Sequence, residues 1–109
     1  MSEKKQLIRQ QFRDACFKRD KFCCAKCGFK SSKENVEKEL DAHHIQSRKD
    51  MPSGGYVPEN GISLCSECHL KAEEFYTTGL AITGYSINEL FNTIGSSLEV
   101  AINASKKLK

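Results

Sequence analysis

The chain has 109 residues, of which 39% are hydrophobic and 28% charged, with a net charge of +3. One domain spanning residues 1–109 is expected at that length, and a membrane span is excluded because no stretch approaches about 18 consecutive apolar residues. The opening "MSEKKQLIRQQ" lacks the apolar core of a secretion signal, so the protein is expected to be cytoplasmic, where six cysteines point to metal binding before disulfides.

The charge is uneven. Residues 1–33 hold ten Lys/Arg against Glu3, Asp14 and Asp20, a net +7 that leaves −4 for the remainder. A polyanion-binding surface and an ordinary solvated helix face both fit this pattern. From residue 4 to about 20, Leu7, Ile8, Phe12, Ala15 and Cys16 recur at helical spacing, predicting an amphipathic basic helix. "KFCCAKCGFKSSKEN" follows, with Gly28 and a polar run marking a turn and loop. "LDAHHI" reads as a short strand, "QSRKDMPSGGYVPENG" as a loop, "ISL" as a second strand, and "SECHLKAEEFYTTG" as a helix ending at Gly79. Ser86 and Glu89 form a capping-box pair. The apolar stripe Ile87, Leu90, Phe91, Ile94, Leu98, Ala101, Ile102 and Leu108 then predicts one long C-terminal helix over about 86–107, packed on the first helix or offering a face for a dimer or protein partner.

Cys24-Ala-Lys-Cys27 and Cys65-Ser-Glu-Cys68 are two C-x-x-C knuckles. Two residues between thiolates let the chain fold over one ion with sulfurs about 2.3 Å from it, and two knuckles complete the tetrahedron of a structural Zn²⁺. Cys23 could replace Cys24 at a less regular spacing, and Cys16 reads as a small core residue. With zinc satisfied by sulfur, the three histidines are left for other work. Two of them, His43 and His44, are adjacent on a strand and so point to opposite faces. His69 directly follows Cys68, about 100° around the helix from it.

Together "RDKFCCAKCG", "LDAHHI" and "PENGISLCSECH" resemble the HNH endonucleases, the ββα-metal nucleases with a four-cysteine zinc, over about residues 19–75. The resemblance implies an α+β fold with flanking helices and a metal-dependent DNA endonuclease that leaves a 5′-phosphate and a 3′-hydroxyl. It implies His44 as general base, His69 as a ligand of the catalytic metal, His43 in the place of the other ligand, and Asn60 orienting His44. Asp41 shares a strand face with His43 and either supports a ligand or ligates the metal itself. Two imidazoles and few hard oxygens favour Zn²⁺, Mn²⁺ or Ni²⁺ over Mg²⁺, leaving the ion's identity open. Arg13, Lys18, Arg48 and Lys49 are candidate phosphate contacts with DNA. The rival readings are a catalytically silent DNA-binding module on this scaffold and a nuclease subunit that needs a partner.

Overall fold

The computed structural model describes residues 3–108. Helix α1 (Glu3–Arg19) carries Lys18 and Arg19 in its last turn, where positive charge opposes the partial negative charge of the helix end. It buries Phe12, Cys16 and Phe17 but leaves Leu7 57% exposed. The chain leaves the helix through Lys21 and Phe22, both with left-handed φ, and makes a small hairpin around the first knuckle, with Cys23 bridged to Lys30. A short helix α2 (Val36–Glu39) leads into β1 (Leu40–His44), which pairs antiparallel with β2 (Gly61–Cys65). The register sets Asp41 opposite Leu64, His43 opposite Ile62 and His44 opposite Gly61. Three 3-10 turns (Arg48–Asp50, Pro52–Gly55 and Pro58–Asn60) order the loop between the strands.

Helix α3 (Ser66–Thr78) follows β2 directly and stops at Gly79, whose φ of 85° is left-handed. The hairpin and α3 form the expected ββα unit, and its core joins Leu40, Ile45, Ile62 and Leu64 to Phe17 and Ala72. Gly61 is the tight point. A Cβ there would lie 2.4 Å from Cys16 Sγ and 2.6 Å from the Phe12 ring, so only glycine lets α1 lie on the start of β2.

The C-terminal segment departs from expectation. Instead of one helix over 86–107 there are two, α4 (Ile87–Thr93) and α5 (Leu98–Ser105). Gly95 takes φ 70°, and Ser97 restarts the chain by capping Val100 N–H with its hydroxyl. Gly-Ser-Ser thus interrupts the helix, although the apolar stripe continues across it. The Ser86–Glu89 capping box is present with both of its bonds. Helix α5 packs mainly on the 3-10 turns Pro52–Gly55 and Pro58–Asn60, not on α1 as expected, and Ser96 Oγ donates to Glu59 O at 2.8 Å. Leu90, Phe91 and Ala101 are buried, while Leu98 and Val100 remain exposed. No helix among the described residues is long and apolar enough to cross a membrane.

Candidate active site

The two knuckles converge. Ligand atoms of Cys24, Cys27, Cys65 and Cys68 all lie within 4.8 Å of one another, and Cys27 Sγ is 3.6 Å from Cys65 Sγ. That is too long for a disulfide, at about 2.05 Å, but close to the roughly 3.8 Å edge of a tetrahedron with bonds of about 2.3 Å. The donor set therefore fits a metal ion. Cys23 and Cys16 stand outside it, Cys16 fully buried on the inner side of α1. Backbone geometry builds the cluster: Ala25 N–H donates to Ser63 O at 2.8 Å, which ties the first knuckle to β2, and Cys65 and Cys68 stand at the entrance to α3. Tyr85, from the segment after α3, donates its hydroxyl to Cys68 Sγ at 3.3 Å.

On the other face of α3 a second donor group forms. His43 Nδ1 lies 3.2 Å and His69 Nε2 3.1 Å from the same oxygen, Glu73 Oε1. Adjacent ligands around a divalent ion with bonds near 2.1 Å are about 3 Å apart, so these three atoms also fit a metal. Asp41 Oδ2 takes the other ring nitrogen of His69, Nδ1, at 3.0 Å. A proton held on Nδ1 would leave Nε2 bare for an ion, an arrangement that suits Asp41 to supporting a ligand, and Asp41 is outside the His43/His69/Glu73 group.

His44 points the opposite way along β1. Its ring stacks on Phe12 of α1, with centroids 4.4 Å apart, and meets Tyr56 edge-on at 4.7 Å. His43, His44, His69 and Glu73 nonetheless line a single cleft together with Ser47, Arg48 and Lys49. Residues 24–75 match the family model described as HNH endonuclease. The chain carries an HNH endonuclease domain. No curated protein and no solved structure gives a significant match.

Asn60, the middle residue of the HNH triplet, is completely buried. Its Oδ1 accepts from Gln46 N–H at 3.0 Å, and its Nδ2 donates to Gln46 O and Gly55 O at 3.2 Å each. It therefore clamps the backbone two residues beyond His44, while Tyr76 donates to Ile45 O at 2.6 Å from α3. Burial pushes both neighbouring imidazoles of the HNH domain down to about 4, aided by His69 at His43 and by the Arg48 and Arg9 charges at His44. Both rings are then neutral at neutral pH, and the His43–Glu73 contact is a hydrogen bond before it is an ion pair.

Of the expected cations, Arg48 and Lys49 reach the cleft. Arg13 and Lys18 are not brought to it: Arg13 Nε is drawn to Glu37 at 3.5 Å, and Lys18 lines a separate cavity beside Phe17, Phe22 and Val36. Three residues in or beside the cleft are not singled out by the sequence patterns. Glu73 stood four residues after His69, a spacing that puts both on one helix face. Arg9 and Tyr56 meet across 47 residues of sequence, and no local pattern announces that contact.

Proposed function

We propose that this protein is a metal-dependent DNA endonuclease that hydrolyses phosphodiester bonds, with His44 as general base. The observation that carries the reading is a single cleft shared by a neutral imidazole, a His43/His69/Glu73 donor trio and two cations. A divalent ion held by that trio, whether Zn²⁺, Mn²⁺, Ni²⁺ or Mg²⁺, would stabilise charge on the departing oxygen and on phosphorus.

The chain's own groups do the rest. His44 Nε2 is buried without a partner, so Nδ1 is the nitrogen that can take a proton from water in the cleft. Its depressed basicity keeps that lone pair available at neutral pH. Phe12 and Tyr56 restrict the ring on two sides, and Asn60 clamps the backbone two residues on, so the base is held in place before substrate arrives. Arg48 and Lys49 draw the phosphate backbone across the mouth of the cleft. The four-cysteine cluster suits Zn²⁺, which with four thiolates leaves no open position for water and serves as structure.

Supercoiled plasmid incubated with the purified protein and each divalent ion in turn tests the reading. Wild type should nick or linearise it, and His44→Ala should be slower by on the order of 10²–10⁴ while binding DNA almost as well. Equal cleavage by both proteins would remove His44 from the mechanism. Binding without cleavage under every ion would favour the silent DNA-binding module.

A further inference from the structure

Beside the histidine cleft lies a smaller depression lined by Ser47, Arg48, Lys49 and Tyr56. The Tyr56 hydroxyl accepts from Arg48 Nη1 at 2.8 Å and from Arg9 Nε at 3.3 Å. A phenol has two lone pairs and one proton. With both lone pairs occupied by guanidiniums, the proton remains to be donated, and it is sharpened as a donor by the two charges. Guanidiniums from α1 and from the first 3-10 turn of the inter-strand loop thus meet at the Tyr56 oxygen, whose ring also lies edge-on to His44.

We propose that Arg9, Arg48 and the Tyr56 hydroxyl form an anchoring site for a phosphate oxyanion next to the reacting one, so that the strand is gripped beside His44. The proposal rests on the nuclease reading for its purpose but not for its test. The ligand is either a backbone phosphodiester or a terminal or free phosphate; both present the same oxygens to the same donors. Arg9 is the new element. It lies outside the family match and would account for how the basic front of the chain reaches the substrate.

Binding is measured in a His69→Ala background, because the contacts of His69 are Asp41, Glu73 and His43 and not Tyr56, and cleavage is then suppressed. A fluorescein-labelled duplex is followed by anisotropy across a salt series, and inorganic phosphate by phosphorus NMR line width. Tyr56→Phe keeps the ring against His44 and Phe12 and should weaken binding on the order of fivefold, the loss of one hydrogen bond. Arg9→Gln should lower the log–log salt slope for the duplex by about one. Dependence on Tyr56 in the duplex assay supports a phosphodiester, and dependence only in the phosphate assay supports a terminal or free phosphate. Wild-type affinity of Tyr56→Phe in both assays overturns the site, even if His44-dependent plasmid cleavage stands. Tyr56-dependent binding by a protein that never cleaves DNA supports the site and removes the nuclease reading alone.

Discussion

Glu73 binds two imidazoles through one oxygen, and that economy makes it the most informative single residue to change. Glu73→Gln keeps the size of the side chain but removes its negative charge, so the trio should bind Mn²⁺ more weakly, by at least the roughly 10–100-fold typical of losing a ligand's outer partner. Titrating Mn²⁺ against plasmid cleavage checks this: activity should recover at raised metal, whereas His44→Ala should not recover at any concentration. Asn60→Ala is a different kind of loss. It strands Gln46 N–H and two carbonyls in a buried place, at a cost of about 1–3 kcal/mol, measurable as a lower denaturant midpoint with an unchanged slope. The histidines stood out because the chain has only three, and Asn60, one asparagine of several, stood out only through the family resemblance. Glu73 carried a readable i,i+4 signal that an acidic stretch, "KAEEF", obscured. Arg9 and Tyr56 were not legible, since their meeting depends on how α1 crosses the hairpin.

At the scale of elements, the hairpin and α3 were predictable because alternation, a Pro/Gly-rich loop and a glycine stop are all local signals. The broken C-terminal helix was misread because an apolar stripe records which side is buried, not whether the backbone is continuous. "GSS" at residues 95–97 held the missing information, with glycine free to take positive φ and serine to restart the helix. The packing of α1 on β2 yields a prediction at this scale. Gly61→Ala forces a methyl group against Cys16 and Phe12, and overpacking of this kind typically costs about 1–3 kcal/mol. Because Phe12 stacks on His44, the variant should also lose cleavage rate at temperatures where circular dichroism still reports a folded protein. A variant with full activity and a normal melting temperature would mean that α1 can move aside freely.

For the whole molecule, the four-cysteine cluster joins three pieces of the chain: the hairpin around Cys24 and Cys27, the end of β2, and the head of α3. With zinc held there as proposed, chelation, or replacing Cys27 or Cys65 by Ser, should unfold the domain cooperatively, because metal binding at such sites is coupled to folding and reaches about 10–16 kcal/mol. Elemental analysis should find about one tightly held zinc per chain, and loss of helical circular dichroism should track its release. The five-residue pairing of β1 with β2 has a further consequence, for length variation. Successive strand residues face opposite sides, so inserting or deleting one residue between Leu40 and His44 would exchange the two histidines, sending His44 toward α3 and His43 toward Phe12. A change of two residues keeps each on its own side. Tolerance to insertions and deletions here should follow parity: odd changes abolish cleavage although every side chain of the motif survives, and even changes are the milder.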